Sequence, residues 1–143
     1  MYSTPDAMST TAIAIRESDG KVVGFVQMTD RTMTCDPVSY CLHSLGENEV
    51  YIEMMSVLPE ARGGGIGTRL LQFCEARARE RGARKLTLGV VAGNPAKQLY
   101  GRFGFKDIDR SYVSAFMPCV CLFSFFGLPH CVPGGSIMEK LIN

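Results

Sequence analysis

Between Tyr51 and Arg81 an apolar run meets a proline, then four glycines in five positions, then a helical repeat: YIEMMSVLPEARGGGIGTRLLQFCEARARER. Residues 51 to 58 have the length and apolar character of a buried strand, and Pro59, which lacks an N–H, ends its ladder. Arg62, Gly63, Gly64, Gly65, Ile66 and Gly67 follow, and Thr68 opens a helix expected to run to Arg81. Strand, glycine turn and helix in that order bring several backbone N–H groups to bear on one point, which the positive end of the helix also faces. The chain is therefore organised around a place for an anion, and phosphate is the natural occupant.

Two common phosphate turns do not fit. A Walker turn needs a lysine before Thr68, and a dinucleotide turn needs a third glycine where Thr68 or Leu70 stands. The spacing that does fit is V-x-P-x-x-R-x-x-G-x-G, at Val57, Pro59, Arg62, Gly65 and Gly67. With it the sequence resembles the GNAT superfamily of acetyl-coenzyme A-dependent N-acetyltransferases, whose pyrophosphate-binding segment has this spacing. The plain alternative is a glycine-rich strand-to-helix turn with no ligand.

The 143 residues suffice for one domain, 1–143, with a single core. A net charge of +1 provides no strong field for nucleic acid or a membrane surface, and no nucleic-acid partner is expected. Arginines crowd the turn and its helix. Arg77 to Arg84 read as a solvated face, whereas Arg62 and Arg69 lie close enough to the turn to meet phosphates. The six cysteines form no C-x-x-C pair, and no basic-then-apolar leader begins the chain, so reduced thiols in a cytoplasmic setting are the expectation. Cys119, Cys121, His130 and Cys131 match no common zinc module, and no metal site is expected.

In chain order, residues 1–10 read as loose, and 12–16 and 21–28 as strands joined through an Asp19-Gly20 turn. A long polar connection spans 29–48. After the central strand and its helix, closed by Gly82, come a strand at 85–91 and a helix from Asn94-Pro95 to Gly104. Phe105 to Tyr112 and Ser136 to Ile142 read as the last strands, with Leu86, Leu88 and Val90 on one side of the 85–91 strand. This order is that of an α/β or α+β sheet with crossover helices. The second helix matches a second family motif, N-x-x-A-x-x-L-Y-x-x-x-G-F, at Asn94, Lys97, Tyr100, Gly104 and Phe105, with Ala96 displaced by one place. The resemblance covers about residues 12 to 112 and implies a mixed, largely antiparallel central sheet, splayed at the cofactor site.

Two stretches depart from the family pattern. GNAT domains usually place a strand and two helices, which roof the acceptor site, ahead of the first hairpin; about ten residues precede it here. Either the form is truncated, or the 29–48 loop or a second subunit, as in a homodimer, supplies the missing wall. Residues 113–135 are an atypical apolar insertion within a stretch, Ser111 to Met138, that has no formal charge. Its prolines oppose one regular helix, so it reads as an enlarged loop packed on the core or a partner; membrane association through 113–133 is the alternative.

Acyl transfer to an amine requires removing a proton from an ammonium of pKa near 10.4 and reprotonating a leaving thiolate. Glu53, the one acidic residue within 51–58, is the candidate base; some family members, glucosamine-phosphate acetyltransferases among them, resemble this strand with an acid at or near that place. Tyr100 is the candidate acid, in the motif position the family uses for it. The resemblance further implies that the Met55, Ser56 and Val57 backbone pairs with the pantetheine arm of acetyl-coenzyme A. It puts the oxyanion at an N–H where the strand splays, around Met55 to Val57. Arg62 through Thr68 (Gly63, Gly64, Gly65, Ile66 and Gly67 between them) would wrap the pyrophosphate, Asn94 would hold pantetheine, and Lys97 would reach a phosphate. The acceptor is an amine of a small molecule or a protein. A truncated or non-catalytic acetyl-coenzyme A-binding domain is the other function in view.

Overall fold

An Asp-Gly pair between two short apolar runs closes the first hairpin. The computed structural model describes residues 10–30, 46–108 and 135–142. In it β1 (Thr11–Ile15) and β2 (Val22–Asp30) pair antiparallel. Gly20 takes φ +69°, where a Cβ would be strained, and Asp19 Oδ1 accepts the Lys21 N–H at 3.2 Å.

Then follow β3 (Glu49–Val57), a 3-10 turn (Pro59–Ala61), α1 (Ile66–Glu80), β4 (Lys85–Val91), α2 (Ala96–Phe103), β5 (Lys106–Ile108) and β6 (Gly135–Leu141). The strands form one mixed sheet in the order β1-β2-β3-β4-β6-β5, with β1–β2, β2–β3 and β5–β6 antiparallel. This is the expected α/β class: β3 and β4 are neighbours joined through α1, the crossover that lets adjacent strands run parallel. Residues 1–9, 31–45, 109–134 and 143 lie outside the described residues. So therefore do most of the 29–48 connection, the end of the expected 105–112 strand, the 113–133 segment and the zinc candidates. Among the described residues no helix is long and apolar enough to cross a membrane.

Two compact units divide the chain, Met1–Thr87 with Lys140–Asn143, and Leu88–Glu139. In the first, α1 buries the expected stripe, Leu70, Leu71, Cys74 and Ala78, on the side facing β1, β2 and β3. Leu71, Val26, Met28 and Cys74 are almost wholly excluded from solvent. Full burial of a leucine such as Leu71 contributes roughly 1.5–3 kcal/mol. The helix ends as expected at Gly82 (φ +72°), where Gly82 N–H donates to Arg79 C=O at 2.9 Å and Ala83 N–H to Ala78 C=O at 2.9 Å. That pair of bonds is a Schellman closure.

Some details differ from the sequence expectation. The central strand begins at Glu49, two residues before Tyr51, so Glu53 is not its sole acid. Glu49 stays in the strand because its buried carboxylate is fully engaged: Thr87 Oγ1 donates to it at 2.7 Å, Gly46 N–H at 3.0 Å, and Lys85 Nζ lies 3.2 Å away. For the same reason β4 buries both faces near Thr87 rather than only Leu86, Leu88 and Val90. The first helix begins at Ile66, not Thr68, because the chain regains helical geometry as soon as Gly65 has turned it.

The second unit packs Leu88, Val90, Tyr100, Phe105, Ile137 and Met138 out of solvent. Gly135 is obligatory there: a Cβ would stand 2.8 Å from the Val90 carbonyl oxygen. The α2 helix stops at Gly104 (φ +102°), after which Phe105 N–H donates to Tyr100 C=O at 3.0 Å.

Thr87→Val removes one donor from a buried carboxylate while keeping the side-chain shape. It is expected to cost about 1–3 kcal/mol, read as a lower urea midpoint with an unchanged slope.

Candidate functional site

Pro59 ends β3 and starts the 3-10 turn, in which Ala61 N–H donates to Leu58 C=O at 2.9 Å and Arg62 N–H to Pro59 C=O at 3.3 Å. Beyond Arg62 the pattern stops. Gly63 and Gly65 take φ +83° and +78°, left-handed values that a side chain resists, and so turn the peptide planes. The next backbone N–H with an internal acceptor is that of Arg69, which donates to Gly65 C=O at 3.0 Å. Between them the N–H groups of Gly63, Gly64, Gly65, Ile66, Gly67 and Thr68 have no internal acceptor among the described residues. Three belong to the first turn of α1, which has no capping side chain and no acid in that turn. Six adjacent donors at the positive end of a fifteen-residue helix can hold an anion.

The charged groups nearby are arranged consistently with that. Arg62 Nε donates to Val57 C=O at 3.2 Å, which leans the guanidinium along the turn. Glu60, the turn's acid, is held below the usual carboxylate range by its own backbone N–H and by Lys21, whose Nζ lies 3.1 Å away. Arg69 is exposed on the first turn of α1.

On β3, Leu58 N–H donates to Val23 C=O at 2.8 Å, so alternation turns Ser56 and Met54 toward β2 and leaves the Met55 and Val57 peptide groups on the other side of the strand. Against β2 the register shifts earlier in the strand than Met55. Met55, Ser56 and Val57 pair in regular register with Val26, Phe25 and Gly24, whereas Gln27 faces Met54 and Met28 faces Ile52. Glu53 is the extra residue, a β-bulge, and its side chain is half-buried. Such a bulge redirects a side chain and shifts the strand's alternation.

The other candidates, Asn94, Lys97 and Tyr100, lie in the second unit. Asn94 Oδ1 accepts the Ala96 N–H at 2.9 Å and so opens α2, as its position suggested; its oxygen is committed to that bond. Lys97 is engaged within its own unit. Its ammonium sits 3.0 Å from Asp107 Oδ1 and 3.2 Å from Ser136 Oγ. The cause is the antiparallel pairing of β5 with β6, which presents both groups to the first turn of α2. Tyr100 is buried with its ring edge-on to Phe105 at 6.1 Å. Sequence patterns gave no sign of Glu49, Asp107 or Ser136, since each finds its partner on another element. Cys74 is buried and its thiol pushed up to about 12, which removes it as a nucleophile.

The acetyltransferase (GNAT) family profile matches residues 3–105, most of the chain. The chain belongs to this family. It is 39% identical over 101 residues to streptothricin acetyltransferase from Streptomyces lavendulae, an alignment covering 70% of this chain and 46% of that protein. The crystal structure of nourseothricin acetyltransferase superposes with a TM-score of 0.65 at 25% identity, over 93% of this chain and 65% of the other. The NatC complex bound to Gag peptide and CoA shares the fold, with a TM-score of 0.65 at 18% identity over 94% and 72%. The chain thus spans less than half of the streptothricin enzyme and about two-thirds of the nourseothricin enzyme.

The Ser136 hydroxyl and then Lys97 hold the Asp107 carboxyl below its ordinary 3.8. The stabilisation this gives is present above the ordinary value and disappears as pH falls through the lower, folded-state value. In an NMR titration the Asp107 carboxyl carbon is expected to move below 3.8, and Ser136→Ala to raise the midpoint.

Proposed function

We propose that this domain transfers the acetyl group of acetyl-coenzyme A to a primary amine of a small molecule or a protein. The observation that carries the proposal is the run of six N–H groups from Gly63 to Thr68 without acceptors among the described residues, at an uncapped helix start. A diphosphate fits that donor set. Arg62 through Thr68 would hold it, with Arg69 adding charge, and the peptide groups of Met55 and Val57 would pair with the pantetheine arm. Asn94 would offer its amide nitrogen. When bound, acetyl-coenzyme A supplies the activated acyl group and a thiol leaving group.

The chain's own residues would then manage protons. Glu53, half-buried at the bulge, is the proposed base that takes the ammonium proton from the acceptor. Tyr100 is the proposed acid; a phenol of pKa near 10 matches a thiolate and donates as it leaves. A peptide N–H at Met55 or Val57, on the side of β3 away from β2, is the proposed partner for charge developing on the acyl oxygen. Both acceptor classes have precedent among the similar proteins, one named for streptothricin and another bound to a peptide.

Thiol release from acetyl-coenzyme A over a panel of small amines and N-terminal peptides tests the proposal. Turnover with one class supports it and names the acceptor. Retention on immobilised coenzyme A without release from any amine would replace it with a binding domain. Tyr100→Phe is expected to lower turnover by about 10²- to 10⁴-fold with coenzyme A affinity unchanged. Thr68→Asp separates site from scaffold. An acid in the first helical turn should stabilise the fold by about 0.3–1 kcal/mol, yet weaken coenzyme A binding by more than about tenfold, since it occupies and repels where a diphosphate must sit.

A further inference from the structure

Lys97 lies one helical turn before Tyr100 on α2, so the two share a side of the helix. Its ammonium reaches two strands at once, Asp107 on β5 at 3.0 Å and Ser136 on β6 at 3.2 Å. Those strands pair antiparallel, Asp107 with Met138 and Ile108 with Ile137. Ser136 also donates to Asp107, so helix, first strand and second strand meet in one three-membered cluster. Beyond Tyr100, the Phe105 N–H binds the Tyr100 carbonyl and the Phe105 ring takes the tyrosine's edge. The last turn of α2 is thereby fixed by its own exit, and the first turn by the Lys97 cluster.

We propose that Lys97, with Asp107 and Ser136, is a positioning group for Tyr100, tying the first turn of α2 to the paired β5 and β6 and so setting the direction in which the phenol is presented. The proposal rests on Tyr100 being the acid of the reaction above. It replaces a phosphate contact for Lys97: two of its three donors already face a carboxylate and a hydroxyl of the same unit. A phosphate ligand would have to give up an opposite charge first. A positioning group, by contrast, needs its partners in place throughout the reaction.

The test uses the full chain with Lys97→Met, Asp107→Asn, the two combined, and Lys97→Arg. Three quantities are measured: coenzyme A affinity by calorimetry, kcat at saturating acetyl-coenzyme A, and the ring resonances of Tyr100. Either single change is expected to lower kcat by about three- to tenfold, to leave coenzyme A affinity within about twofold, and to move the Tyr100 resonances in the same sense. The double variant should be no worse than either single one, as expected for partners in one cluster. Lys97→Arg, which keeps the ion pair, should restore both kcat and the resonances. A several-fold loss of coenzyme A affinity in Lys97→Met but not in Asp107→Asn would overturn the proposal in favour of a phosphate contact. Unchanged Tyr100 resonances or unchanged kcat in both single variants would overturn it as well. If the wild-type chain acetylates nothing, the assigned reaction fails, and the Tyr100 resonances alone decide whether the cluster sets the ring.

Discussion

A run of backbone donors cannot be left without acceptors unless the chain is shaped to allow it. From Gly63 to Thr68 the peptide N–H groups have no acceptor among the described residues, and the φ values of +83° and +78° at Gly63 and Gly65 are what turn them. Any other residue at those two places would carry a cost of about 1–2 kcal/mol. Solvent satisfies the donors at little cost because Gly63, Gly64 and Gly65 are exposed; buried, each would cost about 1–3 kcal/mol. The remainder of the first unit keeps this turn in place. Leu70, Leu71, Cys74 and Ala78 bind α1 to the sheet, Pro59 stops β3, and the Arg62 to Val57 bond ties the turn back to the strand end.

Features that depend on one stretch of chain were legible in the sequence. Gly20, Gly82 and Gly104 each take a positive φ where a turn or helix end was expected, and α1 buries the side its 3.6-residue period marks. Features that depend on a partner elsewhere were not. Glu49 looks like one more acid in the polar run Gly46-Glu47-Asn48, and its distant partners Lys85 and Thr87, the latter 38 residues later, help make it a strand residue. The bulge at Glu53 is a relation between two strands, so no pattern within residues 51–58 could disclose it. Family spacing located the candidate base but not the feature that redirects it.

Lys97 shows the same limit from the other side. A motif fixes where along a helix a side chain stands, and a cation on the first turn of α2 suits a phosphate as well as a carboxylate. What the next elements bring near is invisible to the motif, and here the paired β5 and β6 bring Asp107 and Ser136. Asn94 is less ambiguous, because a cap is a local bond: its oxygen goes to Ala96 N–H, two residues on.

The chain's net charge of +1 and its readiness for a polyanion are compatible because the charge is distributed unevenly along α1 and its flanks. Toward the C-terminal end the cations are consumed: Arg77 by Glu80, Arg79 and Lys140 by Glu75, Arg81 by Asp30, and Lys85 by Glu49. At the other end Arg62 and Arg69 have no carboxylate partner among the described residues, and the turn's own acid is engaged by Lys21. Fields from exposed charges fade over roughly 8–10 Å at physiological salt, so what an incoming anion experiences is this local surplus, not the molecular total. The open amides lie within the same few residues. Two arginines and six peptide N–H groups therefore fall within eight residues, while the paired far end of the helix contributes almost nothing there, and a nearly neutral protein could in this way hold the diphosphate proposed above.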